Sequence, residues 1–197
     1  MGAPSACDEC GFVYDLEMAS AVPSLAEAHA EEFADLMAGD PATLRTRSAP
    51  AVWSPLEYAC HVRDVLLVQR ERVLAARRAD TPFAEPMGRD ERVEHDGYAR
   101  QRPSDVAHQV RTAAQLFGNV LDLLSPADWE RTLVYTYPRR AERPLSWVAV
   151  HTLHELRHHL LDVRRQLRAA APTGASTGTD ADAPTGSDAG VHGASGR

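Results

Sequence analysis

Apolar residues recur at helical spacing in four segments of the chain. The first segment runs from about Val22 to Met37, the second from Pro55 to about Arg78, the third from Ser104 to Leu124, and the last from Leu145 to Arg168. Strand-like alternation of apolar and polar residues is nearly absent. Four helices of this length predict an all-α fold, namely a four-helix bundle.

The second helix has the clearest start. Ser54 can cap it, Pro55 stands at the first helical position, and Glu57 stands where a capping box needs an acidic or amide side chain. Next comes a polar connection from Ala79 to Pro103, which we expect to be a partly ordered loop. A short helical turn should begin at Ser125.

Composition changes sharply near the end of the chain. From Ala169 onward the residues are mainly Ala, Gly, Thr, Ser, Asp and Pro, without periodic apolar positions. Such a segment cannot offset the entropy of ordering by burial, which predicts a disordered tail over residues 169–197. Residues 1–168 should form one bundle domain that carries an N-terminal Cys-x-x-Cys segment.

Charge and hydropathy exclude several classes of protein. A formal charge of −7, with 44% hydrophobic and 25% charged residues, argues against binding to nucleic acid or to anionic lipid. No apolar run approaches the roughly 20 residues of a membrane span, and no secretory leader is recognisable. Three cysteines do not make a disulfide framework. We therefore expect a cytoplasmic protein.

The last helix contains a histidine motif. His154 and His158 are four residues apart, so they share one helix face and could bind one metal ion together. With Glu155 they also match the H-E-x-x-H pattern, in which the glutamate would act as a general base of a zinc protease. That interpretation lacks a third ligand, because Arg164 occupies the position where one family of these proteases has it.

A third metal ligand is available in the second helix. A bundle brings side chains of different helices together at its centre, so His61 could join His154 and His158. Three protein ligands leave open positions for water or substrate, as catalytic metal sites require. The alternative is that His154 and His158 face solvent. They lie away from the apolar seam of that helix, which consists of Ala149, Leu153, Leu156, Leu160, Val163 and Leu167.

A histidine in the second helix with an HxxxH pair in the last resembles the DinB-like superfamily. That superfamily includes metal-binding thiol transferases and mycothiol-dependent maleylpyruvate isomerases, and the resemblance covers roughly residues 21–167. It implies a bundle whose metal, commonly zinc or nickel, is held by His61, His154 and His158. It also implies transfer of a low-molecular-weight thiol, for which mycothiol is the natural candidate, to an electrophile.

Other polar residues have open roles. Asp64 follows His61 by three residues and could accept a hydrogen bond from a ligand or act as a base, or else pair with Arg63. His151 could support the metal site or be structural. His159 should point toward Glu155 and Asp162 on a polar, exposed side. The last helix contains all three of these residues, Glu155, His159 and Asp162.

The N-terminal cysteines form half of a metal site at most. Cys7 and Cys10 could be half of a zinc site or a redox pair, and a tetrahedral zinc site needs two more ligands. Cys60 and one histidine could complete it, although a small buried residue is the simpler interpretation of Cys60.

Two connections supply candidate binding residues. Arg89, Arg92 and Tyr98 in the long connection, and Arg139 before the last helix, could bind a carboxylate or phosphate of a cofactor or substrate. Ordinary charged loops are the alternative. Tyr137 belongs to the same set of loop residues.

Together these residues predict a metal-dependent thiol S-transferase with a small-molecule substrate, Asp64 and Glu155 as candidate catalytic groups, and a homodimer as one possible assembly. A noncatalytic metal-binding or ligand-binding bundle is one alternative. A hydrolase that activates water at the metal, with Glu155 or Asp64 as base, is another.

Overall fold

The computed structural model of the chain describes residues 6–136 and 139–170. Tyr137 and most of the predicted tail therefore lie outside the described residues. Seven α-helices are present in the described part of the chain, and four of them are long: α1 (Val22–Leu36), α3 (Pro55–Arg78), α5 (Pro103–Leu121) and α7 (Leu145–Ala170). The short ones are α2 (Pro41–Arg45), α4 (Arg89–His95) and α6 (Pro126–Trp129).

The four long helices form a bundle, so the predicted fold class is confirmed. α1 packs on α5 and α7, and α3 packs on the same two helices. The long helices α1 and α3 follow one another in the sequence but are not among the extensively packed pairs, whereas α3 and α5, which also follow one another, are. The core consists of large apolar side chains at helical spacing, among them Phe33, Leu56, Leu66, Phe117, Leu121 and Leu156.

The connections contain more regular structure than the sequence indicated. The long connection holds α4 and a 3₁₀ turn, Tyr98–Arg100, which confirms that it is partly ordered. Two short strands, β1 (Thr132–Tyr135) and β2 (Ala141–Pro144), pair antiparallel before α7. The sequence did not indicate these strands, because four residues are too few for alternation to be visible. A 3₁₀ helix, Leu16–Ala21, precedes α1.

The predicted capping box at the start of α3 is present. The Glu57 backbone N–H donates to Ser54 Oγ over 3.3 Å, and the Ser54 N–H donates to Glu57 Oε2 over 2.8 Å. Arg47 adds two hydrogen bonds to the same carboxylate, at 2.7 and 2.6 Å. Burial raises the pKa of Glu57, but the hydrogen bonds from Arg47 and Ser54 outweigh it, and the net pKa is lowered.

Among the described residues, no helix combines the length and the hydropathy that a membrane crossing requires.

The Glu57 carboxylate should stabilise the fold in a pH-dependent way. Its pKa is lower in the folded state, so its contribution is complete above its unfolded pKa of about 4.3 and is lost as pH falls through the folded-state value. We expect Glu57→Gln to lower the free energy of unfolding by about 1–3 kcal/mol at pH 7, and by less in acid. Urea unfolding at both pH values measures this. The exposed control Glu130→Gln should change little at either pH, and an equal loss at both pH values for Glu57→Gln would contradict the assignment.

Candidate metal centre

Polar side chains of α7 face α3 in the interior of the bundle. Glu155 and His159 are one turn apart on α7, and His61 belongs to the second turn of α3. His61 is 2% exposed and His159 is 8% exposed, although both rings are polar. Burial of this kind is unfavourable unless the groups have partners. The contact between α3 and α7 is therefore a place where ionisable side chains are buried close together.

His61, Glu155 and His159 are close enough to bind one metal ion. One ligand atom from each lies within 4.8 Å of the others. The rings of His61 and His159 meet edge to face with centroids 4.9 Å apart, and Glu155 Oε2 is 3.6 Å from His159 Nε2. Two imidazoles and a carboxylate form a donor set that zinc and related metals accept, and such three-ligand sites leave a position open.

Two further observations fit a metal in this cluster. His61 Nδ1 is buried and has no hydrogen-bond partner among the described residues. His159 Nδ1 lies 3.0 Å from Asp162 Oδ2, which leaves the other ring nitrogen directed to Glu155. A carboxylate that holds the far nitrogen of a ligand histidine is a recurring arrangement around metal sites.

This cluster differs from the ligand set that the sequence suggested. His61 belongs to both, but His154 and His158 lie with Cys7 and Cys10 instead. Helical residues are separated by about 100° around the axis, so Glu155 and His159 face a different direction from His154 and His158. The rotation of α7 about its axis brings Glu155 and His159, and not His154 and His158, together with His61 of α3. The same i, i+4 spacing joins Glu155 and His159, but the sequence alone gave no reason to prefer it.

The prediction that His159 lies on an exposed surface was wrong. Its expected partners are correct, since it contacts Glu155 and Asp162. However, this polar side of α7 faces the interior of the bundle. There the His159 ring also packs against the Tyr58 ring, and the two ring centroids are 5.3 Å apart.

The environment shifts the protonation of these groups. Burial lowers the pKa of His61 to about 3, so this ring is neutral at pH 7. For His159, burial also lowers the pKa, but Asp162 and Glu155 outweigh it and raise the pKa to about 9. Burial raises the pKa of Glu155, yet its histidine neighbours hold the net pKa well below the usual range. The centre thus contains an ionised carboxylate beside one neutral and one protonated imidazole.

Asp64 is engaged outside this cluster. It accepts hydrogen bonds from Arg63 Nε (2.7 Å), Arg92 Nη1 (3.2 Å) and the Tyr98 hydroxyl (2.6 Å). Burial raises its pKa, and these partners lower it more strongly. The geometry therefore favours a structural role in which Asp64 fixes the long connection to α3. Arg92 and the fully buried Tyr98 take part in the same contact.

A cavity of about 670 Å³ opens onto the His61–Glu155–His159 cluster. Of the four loop residues suggested as binding groups, Arg89 lines it, whereas the exposed Arg139 is not among the described residues of its wall. Residues that the sequence did not single out also contribute: Gln69 Nε2 and Arg72 Nη1 each donate to the Tyr135 hydroxyl over 2.9 Å, and all three line the cavity.

Aromatic and histidine side chains form another part of the wall. The Tyr14 hydroxyl lies 2.9 Å from Nδ1 of both His151 and His154. The buried His151 ring stacks on Trp147 with centroids 4.5 Å apart. Burial lowers the pKa of His151 to about 4. His151 is therefore a neutral wall residue beside the cluster, consistent with the structural alternative considered from the sequence.

A sequence model of the DinB superfamily matches residues 20–163. The chain belongs to the DinB superfamily. No curated protein sequence matches this DinB-superfamily chain significantly. Membership confirms the resemblance seen in the helix pattern.

Two solved structures are similar to this chain. One is YfiT from Bacillus subtilis, described as a probable metal-dependent hydrolase with an unusual four-helix bundle topology. It has a TM-score of 0.71 and 13% identity, over 86% of this chain and 94% of YfiT. The other is the mycothiol-dependent maleylpyruvate isomerase, with a TM-score of 0.60 and 17% identity, over 76% of this chain and 60% of the isomerase. At these identities the likeness concerns the fold.

The ligand set can be tested by metal content in a Cys7→Ser/Cys10→Ser background, which removes the other cluster. We expect about one divalent metal ion per chain, lost in His61→Ala, Glu155→Gln and His159→Ala because each removes a ligand. His158→Ala is the matched control and should retain the metal. Mass spectrometry of untagged protein measures this. Loss in His158→Ala with retention in His159→Ala would restore the three-histidine set.

Metal binding to this centre should depend on pH. His159 has a pKa of about 9, so a metal must displace its proton at pH 7. In the same background, apparent affinity should therefore fall roughly tenfold for each pH unit below 9. Titration calorimetry at pH 7, in buffers with different ionisation enthalpies, should show release of about one proton. A binding enthalpy that is independent of the buffer would contradict this protonation state.

Proposed function

We propose that this chain is a metal-dependent enzyme that transfers a low-molecular-weight thiol, such as mycothiol, to an electrophilic small molecule. The observation that carries the proposal is the cavity onto which His61, Glu155 and His159 open. A ligand cluster buried in a closed core would serve structure alone, whereas this one is accessible to molecules that enter the cavity. The fold likeness to a mycothiol-dependent isomerase supports the choice of thiol.

A divalent metal in this centre would supply Lewis acidity, which favours ionisation of a thiol or of water at neutral pH. The chain's own residues would do the rest. His61 and His159 would supply nitrogen ligands from two helices, and Glu155 would supply one negative charge, which offsets half of the charge of the ion. In this arrangement Glu155 would be a metal ligand, so a different residue would have to act as the general base.

Tyr135 is placed to position the electrophile. Its hydroxyl oxygen accepts hydrogen bonds from Gln69 and Arg72, which leaves the hydroxyl hydrogen to donate elsewhere. The ring lies in the cavity wall, with its centroid 5.5 Å from that of His151. A hydrogen bond from Tyr135 to a substrate oxygen would polarise an electrophilic carbonyl. Arg89, more than half exposed at the edge of the cavity, can attract an anionic substrate.

Hydrolysis is the second candidate, favoured by the fold likeness to a probable metal-dependent hydrolase. It would use the same three ligands but no thiol. Glu91 is a cavity-lining carboxylate outside the ligand cluster, so it is available to accept a proton from water.

One experiment separates these functions. Metal-loaded, untagged protein is incubated with mycothiol and monochlorobimane, and in parallel with a panel of esters and amides without thiol. Thiol transfer predicts conjugation that requires both metal and thiol. We expect His61→Ala to lower kcat/KM by about a hundredfold or more, since it removes a ligand, while the exposed His108→Ala leaves it unchanged.

The opposite results are equally informative. Ester or amide turnover without thiol would establish hydrolysis and contradict transfer. Stoichiometric metal without turnover of either kind would indicate a noncatalytic binding bundle.

A further inference from the structure

A second group of metal-binding side chains lies beside the candidate centre. It consists of Cys7, Cys10, His154 and His158, and one donor atom of each lies within 4.8 Å of the others. We propose that these four residues form a tetrahedral zinc site that fastens the N-terminal segment to α7. The site has all four ligands from protein, so its role is structural, and it is separate from the open centre at His61, Glu155 and His159.

The donor set and the spacing both favour zinc. Two thiolates with two imidazoles are ligands for tetrahedral zinc, and the ligand pairs have the spacings C-x-x-C and H-x-x-x-H. Cys7 Sγ lies 3.7 Å from His158 Nδ1. With Zn–S near 2.3 Å and Zn–N near 2.0 Å, a tetrahedral site places sulfur and nitrogen about 3.5 Å apart, so little movement is needed.

The backbone around the cysteines is already folded into a tight turn. The Gly11 N–H donates to the Cys7 carbonyl over 2.8 Å, and the Cys7 N–H donates to the Phe12 carbonyl over 2.9 Å. Gly11 has φ of +67°, a left-handed conformation that glycine adopts without strain. Ala6 and Val13 pair across the turn. The turn brings both sulfur atoms to the same side, toward α7.

Each histidine has one nitrogen directed to this group and the other held by an oxygen. His158 Nε2 lies 3.5 Å from Glu9 Oε2 and 3.7 Å from Asp162 Oδ2, which leaves Nδ1 for the metal. His154 Nδ1 lies 2.9 Å from the Tyr14 hydroxyl, and its buried Nε2 has no hydrogen-bond partner among the described residues. Outer oxygens that orient ligand histidines are typical of zinc sites.

The third cysteine, Cys60, is fully buried in the core of the bundle and is not part of the cluster.

Zinc here would fix one wall of the cavity. Residues 6–15 lie against α7 with few apolar anchors: Phe12 is buried, whereas Val13 is exposed. Cys7, Glu9 and Tyr14 nevertheless line the cavity. A segment with so little buried apolar surface gains stability from metal ligation, and the cavity keeps its shape as a result.

Cysteine alkylation on the full-length, untagged wild-type protein tests the proposal directly. Protein purified under reducing conditions is loaded with Zn²⁺, treated with N-ethylmaleimide with or without a chelator, and mapped by peptide mass spectrometry. Labelling of Cys7 and Cys10 should be slowed about tenfold or more by zinc, while buried Cys60 serves as an internal reference. Equal labelling with and without zinc, or a Cys7–Cys10 disulfide in the reduced preparation, would overturn the proposal.

Cobalt substitution assigns the ligands. Co²⁺ bound to thiolates gives a sulfur-to-cobalt charge-transfer band in the near ultraviolet. The band should be present in the wild type, in His159→Ala and in Cys60→Ala, and absent in Cys7→Ser/Cys10→Ser, with circular dichroism to verify that each variant is folded. Absence of the band from the wild type at saturating Co²⁺, or its persistence in Cys7→Ser/Cys10→Ser, would refute the site. Unlike the proposed function, these results do not depend on any enzymatic activity.

Discussion

The contact between α3 and α7 is the constraint on which the rest of the structure depends. It brings the buried imidazoles of His61 and His159 together with the partly buried carboxylate of Glu155. Such groups are costly to bury, and partners reduce that cost: Glu155 faces His159, and His159 faces Asp162. His61 Nδ1 has no hydrogen-bond partner among the described residues, so it is available to a ligand.

The sequence predicted those features that depend on local interactions. The positions of the helices follow from apolar periodicity. The start of α3 follows from Ser54, Pro55 and Glu57, which lie within one turn of each other in the chain. The β1–β2 pair was missed because its register is set by pairing between residues several positions apart. The hydrogen bond from Tyr98 to Asp64 was missed for the same reason. The two residues are 34 positions apart in the sequence, and nothing near Asp64 along α3 indicates that they meet.

The candidate metal ligands were harder to predict than the region in which they lie. The histidine-rich last helix and His61 indicated the part of the bundle that contains the candidate metal-binding side chains. The choice between His154 with His158 and Glu155 with His159 depends on the rotation of α7, because a shift of one residue turns a side chain by about 100°. Periodicity gave the apolar seam of α7, but the seam alone does not show which of the two pairs faces α3. Only the packing of α3 shows that Glu155 and His159 face His61.

Adjacent residues of α7 thus belong to two clusters, and Tyr14 connects His154 of one cluster to His151 in the cavity wall. A hydroxyl has a single hydrogen, so Tyr14 donates to one of His151 and His154 and accepts from the other. For Nε2 of His154 to act as a metal ligand, Nδ1 of the same ring must carry the hydrogen and donate it to the Tyr14 hydroxyl oxygen. The Tyr14 hydroxyl then donates its own hydrogen to His151 Nδ1. Glu155 Oε1 is 3.5 Å from the same His154 Nδ1. The tautomer that would complete the cysteine-containing cluster would therefore also set the direction of the hydrogen bond between Tyr14 and His151 in the cavity wall.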